Sequence, residues 1–511
     1  MTPQLPHNRR MITLSIMLAT IIQALDGTIA NVALPHMQGS LSASQDQITW
    51  VLTSFILAAA VATPLTGWLC DRFSLKTVFM VSIGGFTVAS MLCGLSDSLG
   101  QIVLARFLQG VFGAALVPLS QSVLLDINPR EKHGSAMAVW GMGVMVGPIL
   151  GPTLGGWLTD SYDWRWVFFI NLPVGLLAFY GVWRYIQPSK AARSMRFDVF
   201  GFATLSLAMG ALQMLLDRGE QNDWFSSPET WIEAGLMLVA ALYFAVHTAT
   251  STPGKSFLDY RLLKNTNYVT GLLLIFVVGM VLFATRALTP TLLQGLLHYP
   301  AATAGLVTAP SGLGTMLAMM LVGKLVGRID LRLLLAAGFS ITAFSLWQMS
   351  HYSLALSQAD IIWPGLIQGI GLGLVFVPLS AATFSTLAAD MRTEGTAIYS
   401  LVRNIGSSIG IALVQTLLVR NTRIVQGELA ASVSNASPAW LDAPTAAAYP
   451  LQQLPGLASL VAEVQRQAAM VAYIDDFWLM FAVTALIIPL LLLVKPGQRP
   501  ASAASEHAAL E

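Results

Sequence analysis

Charge is scarce in this sequence. Only 10% of its 511 residues are Asp, Glu, Lys or Arg, against about 25% in soluble globular proteins. That shortage excludes a string of water-facing domains. The two signs nearly cancel, with 27 basic and 26 acidic residues, so no basic excess is present to hold nucleic acid. Cysteine is almost missing: Cys70 and Cys93 fall at a helix end and inside a helix, which rules out a disulfide framework. The seven histidines show no His-Glu-x-x-His spacing, no Cys-x-x-Cys accompanies them, and no phosphate-cradling glycine loop follows a strand. No catalytic constellation and no metal or cofactor site is predicted.

What fills the chain instead is apolar residue after apolar residue, 55% of the whole. Runs of eighteen or more recur along its length, each long enough for a membrane helix. The first is too long for a signal peptide and carries no small-residue cleavage pattern, so it is expected to stay. Fourteen spans are predicted, near 11–35, 48–69, 76–95, 99–125, 134–158, 166–186, 198–217, 230–250, 267–291, 301–326, 332–350, 360–388, 394–419 and 474–494. If both termini are cytoplasmic, the inner segments hold 19 of the 27 Lys and Arg, the outer loops five (Arg165, Arg218, Arg420, Arg423 and Arg466), and the spans three. That asymmetry orients the chain with both ends in the cytoplasm. The fold class is an all-α polytopic membrane protein.

One acid stands inside the first span. Asp26, in Leu25-Asp26-Gly27-Thr28-Ile29-Ala30-Asn31-Val32-Ala33-Leu34-Pro35, lies roughly 22 Å along that helix at 1.5 Å per residue. This is beyond the midplane of a core about 30 Å thick. A carboxylate there is costly unless paired, wetted or protonated. It either caps and packs, or it gains and loses a proton as the protein works. The second reading is the one developed here.

On the fourth span Arg106, Gln109, Gly110 and Gly113 fall at i, i+3, i+4 and i+7 and share a face. Counted from the outside, Arg106 lies roughly 10 Å deep, at about the level of Asp26. An arginine that stays charged in the membrane favours an ionised carboxylate opposite it. The alternative is a structural pair with no part in turnover. The fifth span carries Gly143, Gly147, Gly151 and Gly155 at intervals of four, with Pro148, Pro152 and Gly156. Such glycines make a smooth groove for a neighbouring helix, and the prolines interrupt the hydrogen-bond ladder and permit bending.

The chain also repeats itself. Gly67-Trp68-Leu69-Cys70-Asp71-Arg72-Phe73-Ser74-Leu75-Lys76 closes the second span, and Gly323-Lys324-Leu325-Val326-Gly327-Arg328-Ile329-Asp330-Leu331-Arg332 closes the tenth, with Gly, Arg and the last base at equal offsets. Gln109-Gly110 followed by Val117-Pro118-Leu119-Ser120 is echoed by Gln368-Gly369 followed by Val377-Pro378-Leu379-Ser380. Two homologous halves are what a rocking transporter needs. In each loop the glycine lets helices approach, while Asp71, Arg72 and Lys76, and Arg328, Asp330 and Arg332, supply charges that pair with a neighbouring helix end and latch one conformer.

These residues resemble the major facilitator superfamily, and within it the fourteen-helix drug:H+ antiporter branch of the EmrB/QacA type, from about Met11 to Lys495. The Leu25–Pro35 element is similar to that branch's first-helix motif. Gly67, Asp71, Arg72 and Lys76 are similar to the family's cytoplasmic-loop motif, although Phe73-Ser74-Leu75 stand where a glycine and a basic residue are usual. Arg106 matches an arginine linked to proton transfer. Gly147-x-x-x-Gly151-Pro152-x-x-Gly155-Gly156 resembles the antiporter signature, and Trp164-Arg165-Trp166 with Phe169-Ile170-Asn171-Leu172-Pro173 resembles a further element of the exporter branch.

The resemblance implies two six-helix halves, 11–186 and 267–494, with two extra helices in 198–250 between them. It implies efflux of small lipophilic compounds in exchange for protons by alternating access, with no cofactor. It also implies an inner-membrane location, contact with membrane lipids, and a periplasmic membrane-fusion adaptor and outer-membrane channel as partners. The alternative is a proton-coupled symporter or facilitator for one metabolite; a sensor without transport is a third class. Residues 251–266 read as an amphipathic interfacial helix, 420–473 as a long outer loop ending in a helix around 457–471, and the tail 496–511 as disordered. Arg403 and Asn404, among small residues roughly 15 Å into the thirteenth span, are expected either to contact substrate or bridge the halves, or simply to pack. Gln109 is a further candidate substrate contact. Arg286, near the outer end of the ninth span, is expected to snorkel.

Overall fold

The computed structural model describes residues 8–129, 132–187, 197–251, 260–326, 329–388, 391–432 and 454–493. Among the described residues fourteen helical segments are long and apolar enough to cross a membrane when one bent helix pair is counted as a single crossing. We number them α1 (Arg9–Ser40), α2 (Trp50–Ala62 and Leu65–Phe73), α3 (Leu75–Gly94), α4 (Leu99–Gly113 and Leu116–Ile127), α5 (His133–Ser161), α6 (Trp166–Phe169 and Asn171–Tyr185), α7 (Val199–Arg218), α8 (Pro228–Thr250), α9 (Thr266–Thr291, continued by Leu292–Leu296), α10 (Ala301–Leu325), α11 (Leu331–Met349), α12 (Gln358–Ser385), α13 (Arg392–Ser432) and α14 (Leu454–Ile487, continued by Ile488–Leu493). Helices dominate because hydrocarbon offers the backbone no partner, so each segment must satisfy its own N–H and C=O groups. Their starts are sequence-coded: Ser98 and Asn265 cap α4 and α9, and Ser357 closes a capping box with Asp360 at α12.

Three predicted spans are broken, α6 at Ile170 and the other two beside a proline. The pieces of α2 meet at 57° because Pro64 lacks the N–H that would bond the Ala60 carbonyl. Thr63 and Thr66 turn their hydroxyls onto the Ala59 and Thr63 carbonyls at the bend. In α4, Pro118 cannot donate to Ala114, where the helix parts. By contrast α5 runs unbroken through Pro148 and Pro152, so the expected interruption there does not end the helix.

The largest departure is outside the bilayer. Residues 420–473 were expected as a loop with one short helix. Instead α13 runs on to Ser432 and α14 already begins at Leu454, and the two pack together as an antiparallel pair. Their polar composition hid the continuation, since the apolar run ends while the helix does not. Residues 433–453, half of the predicted interfacial helix 251–266 (252–259), Arg328 and the tail 496–511 lie outside the described residues. Tyr260–Lys264 forms a short 3-10 turn.

The packing repeats with a step of eight helices. In the first half α1 packs on α5 and α6, α2 and α3 on α4, and α3 on α6; in the second, α9 packs on α13 and α14, α10 and α11 on α12, and α11 on α14. The sequence echoes occupy equivalent places. A Cβ on Gly110 would strike the Phe55 carbonyl of α2, and one on Gly369 the Ser311 carbonyl of α10. Ser120 accepts from the Trp140 indole of α5 at 2.8 Å, while Ser380 pairs with the Tyr399 hydroxyl of α13 at 3.3 Å. Burial separates centre from rim: 78% of the α12 window and 67% of the α4 window are buried, against 17% of α8. The α7–α8 hairpin rests on α2 and α13 through α7.

The halves meet along α5–α10 and through α13, which lies on the ends of α2 and α4 that carry the basic loops. We call this the basic end.

Candidate functional site

Asp26 is buried completely, and the groups around it come from five helices. Arg106 of α4 donates from Nη1 to Asp26 Oδ2 at 2.6 Å, and Gln109, one turn on, donates from Nε2 to Oδ1 at 2.8 Å. Asn171, the first residue of the longer α6 piece, donates to the same Oδ1 at 3.0 Å and to Ser90 Oγ of α3. Arg106 is itself held, by Nε to the Val51 carbonyl of α2 at 3.0 Å and by Nη1 to Gln109 Oε1 at 2.8 Å. The Phe55 ring lies 4.4 Å below its guanidinium, a favourable cation–π arrangement. The carboxylate thus has three donors and a fixed countercharge, which is what a buried charge needs to survive in a low-dielectric interior. Leu25, Ile29, Ile102, Ala105 and Phe168 close the apolar shell.

The structure therefore brings Asp26, Arg106 and Gln109 into one cluster, and Gln109 is turned to the acid rather than to a cavity. Asn171 and Ser90 were missed. Asn171 had a signal, being a polar residue inside an apolar run, but only the fold shows that α6 returns past α1 at this level.

The four glycines at intervals of four along α5 pack on α1, while Gly134 and Gly141 of the same helix face Val326 and Met319 of the second half. Added Cβ atoms would meet Met17 at Gly143, the Ala24 carbonyl at Gly147, Thr28 at Gly151 and Ile29 at Gly155, while Gly156 has open space beside it. Thr28 also donates to the Gly147 carbonyl at 3.0 Å. Between the α4-facing and α5-facing sides of α1, away from α6, runs a stripe through Thr20, Gly27 and Asn31 at helical spacing. Thr20 is sealed and bonds Ser120 at 2.9 Å, whereas Gly27 and Asn31 are exposed. The space between the halves is thus closed toward the basic end and open toward the other. Asp26 sits one residue from the open surface and is shut off from it. Between the halves lies a cavity of ≈ 10 Å³, lined by Met145 of α5 and by Leu282, Met319 and Phe376 of the second half. This is far below the few hundred Å³ that a drug-sized ligand fills.

The basic end is shut by contacts that the repeated loops only partly predict. Gly67 lies against Glu394 at the start of α13, with 3.4 Å from an ideal Cβ to the Glu394 Cα. Its repeat partner Gly323 lies symmetrically against Ser135 and Ala138 of α5. The charged members behave differently. Lys76 donates to the Trp183 carbonyl of α6 at 2.6 Å, inside its own half, so it does not latch the two halves. Asp330 caps its own helix by accepting from the Arg332 N–H at 2.9 Å; a carboxylate at the N-cap satisfies a free N–H two residues on more cheaply than it reaches a distant cation. Asp71 is half-buried and Arg72 exposed.

Three bonds that cross the seam at the basic end are made by side chains not singled out in the sequence. Arg392 pairs with Asp126 at 2.8 Å, Ser122 with Thr393 at 3.0 Å, and Thr396 donates to the Pro118 carbonyl at 3.2 Å. None carries a motif of its own, since each is an ordinary helix-end residue until the halves are docked.

Two further arginines are placed. Arg286 does not snorkel: its Nη2 lies 3.7 Å from Met145 Sδ across the seam, because α9 continues ten residues beyond it and leaves it well inside. Arg403 keeps within the second half, with Nη2 3.4 Å from Asn404 Oδ1, and its backbone carbonyl lies where a Cβ on Gly279 would be. Its Nε is buried without a hydrogen-bond partner. Among the described residues no group of three or more His, Cys, Asp or Glu gathers as a metal site.

This architecture has relatives. Residues 16–411 match the family described as Major Facilitator Superfamily. The chain is 37% identical to the multidrug export protein EmrB of Haemophilus influenzae over 406 residues, 79% of each chain. It is 33% identical to the multidrug export protein EmrB of Escherichia coli K12 over 494 residues, 95% of each. In fold it is similar to the human organic anion transporter MFSD10 (TETRAN), with a TM-score of 0.60 at 13% identity, covering 93% of this chain and 99% of that one. With two repeated six-helix halves, a seam between them and a match spanning most of its length, the chain belongs to the Major Facilitator Superfamily.

Proposed function

We propose that the protein is a multidrug efflux transporter that exports small lipophilic compounds in exchange for protons. The observation that carries this reading is the Asp26–Arg106 pair, a charge sealed in the bundle one residue from the open face of α1. In this reading the basic end is cytoplasmic, the membrane is a bacterial inner membrane, and the conformation described is the outward-facing one.

The chemistry follows from the contacts. Protonating Asp26 removes the charge that Arg106 faces and turns one acceptor oxygen into a donor. The three-donor shell then fits poorly, and α1 is freed to move against α4 and α6. Because α5 is seated on α1 by its glycines and reaches α10 across the seam, a shift of α1 is passed to the contact between halves. Opening the basic end lets a lipophilic compound enter between the halves, and its arrival favours the deprotonated, re-paired state. Protons entering from outside are released inside as compounds are carried out. The names of the relatives, multidrug export proteins among them, support this substrate class. A periplasmic membrane-fusion adaptor and an outer-membrane channel complete the route, with the α13–α14 extension as the docking place.

The test uses inverted membrane vesicles and a fluorescent lipophilic cation. Dye uptake should follow an imposed proton gradient, adding dye should release protons, and an uncoupler should stop both. Uptake indifferent to the uncoupler would overturn proton coupling.

A further inference from the structure

The two halves can be superposed residue by residue at the polar centre. The offset that carries Gln109 onto Gln368, 259 positions, carries Asp26 onto Thr285 and Arg106 onto Gly365. It also carries Leu25, Ile29 and Ala33 onto Ala284, Leu288 and Leu292, and each set lies in the apolar shell of its own half. The central bond is kept: Gln368 Nε2 donates to Thr285 Oγ1 at 3.1 Å, as Gln109 Nε2 donates to Asp26. The second half therefore has the same frame with neither the acid on its first helix nor the arginine on its fourth.

Its acid comes from the last helix instead. In the first half Phe168 belongs to the shell and Asn171 follows three residues later. In the second, Tyr473 belongs to the shell and Asp476 follows three residues later. Asp476 is 1% exposed, and neither carboxyl oxygen has a hydrogen-bond partner. Met470, Phe477 and Met480 surround it in sequence and lie in the same apolar cluster.

No cation compensates it among the described residues. Asp475, its neighbour on α14, faces Asn421 of α13. On α9, Arg286 points to Met145 of the other half, and on α13 Arg403 reaches Asn404 while Arg420, Arg423 and Glu428 are exposed. After α11, His351 bonds the Trp347 carbonyl, the buried Tyr352 hydroxyl has no partner, and Asp360 caps its own helix. An unpaired, unbonded carboxylate is strongly disfavoured in such surroundings, and a bound proton removes its charge.

We propose that Asp476 is a second proton-binding site, the counterpart in the second half of the Asp26 centre. It holds its proton in the conformation described here and gives it to water when the halves rearrange and wet the α11–α14 seam. The step breaks one O–H bond, leaves a carboxylate and needs no other reactant. Its use in transport rests on the reading above; the bound proton does not.

The test is reaction of the full-length protein in liposomes with dicyclohexylcarbodiimide, which attacks neutral buried carboxyls, followed by peptide mass spectrometry, together with infrared difference spectra across pH. Asp476 should be labelled and Asp26 spared. A carboxylic acid carbonyl band should vanish in Asp476→Asn and return, shifted, in Asp476→Glu, and the protons released per dye molecule should fall in Asp476→Asn. No label and no band assignable to Asp476 at any pH where the protein stays folded would overturn the site. If wild-type export proves uncoupled from protons while the band is present, the transport reading falls and the site stands. If export is coupled but Asp476→Asn changes neither band nor proton ratio, the site falls and the reading stands.

Discussion

Arg392 reaches from the start of α13 to Asp126 at the end of α4, Nη1 to Oδ1 in 2.8 Å, and so ties one half of the molecule to the other at its basic end. Within a few residues lie the Ser122–Thr393 bond and the Thr396 bond to Pro118. All of these must break together when that end opens, while the α1–α5 and α9–α13 contacts inside each half can stay intact.

Loosening this tie should shift the balance of conformations. Asp126 is 43% exposed and Arg392 11%, and a half-exposed pair is worth about 1 kcal/mol or less. Asp126→Asn or Arg392→Gln should lower the ratio of closed to open protein by up to about five-fold, and exchanging the two residues should restore it. Disulfide yield between cysteines placed at Gly67 and Glu394, in a background lacking Cys70 and Cys93, measures this.

Removing the first-half acid should separate coupling from folding. Asp26→Asn keeps the volume and can still accept from Gln109 and Asn171 but leaves Arg106 without its countercharge, so the protein should still insert while melting at a lower temperature. Proton-driven dye uptake should fall at least ten-fold. Full uptake in this variant would remove Asp26 from the coupling scheme.

Arginine geometry matters as much as its charge. A lysine at position 106 has one nitrogen to serve the Val51 carbonyl, Asp26 and Gln109 together. Lysine keeps the charge but leaves at least one of these buried acceptors unserved, at about 1–3 kcal/mol, so Arg106→Lys should unfold at lower temperature in detergent and transport poorly. A melting temperature equal to wild type would show that lysine satisfies the site.

The α5 glycines divide sharply. Gly147→Ala drives a methyl into the Ala24 backbone, which cannot yield as a side chain would, and should cost about 1–3 kcal/mol. Gly156→Ala meets nothing and should be neutral. Thermal unfolding of the two variants side by side checks the contrast.

Gly67→Ala should be tolerated, because its Cβ would sit in ordinary contact with Glu394 at 3.4 Å. Gly67→Leu should hold the basic end apart and abolish the disulfide crosslink between cysteines at Ser122 and Thr393. Crosslinking as in the wild type would mean that the seam tolerates the larger side chain.

Much of this protein was legible before any coordinates. Apolar runs of membrane length, a lopsided distribution of basic residues and two echoes between halves sufficed for fourteen spans and a repeated bundle. A lone acid in one span and a lone arginine at matching depth in another sufficed to expect that Asp26 and Arg106 meet. These features are local or periodic, and a hydrocarbon solvent penalises every unpaired charge so heavily that few partners remain. What only the tertiary structure decided depends on how finished helices dock: that Asn171 completes the Asp26 shell, that Lys76 serves its own half, that Arg392 and Asp126 close the seam, that Asp476 stands without a partner. The physical reason is that a helix-end charge or an acid beside an outer loop looks the same in sequence whether it meets water, lipid or a neighbouring helix, and only the packing of the two halves selects among the three.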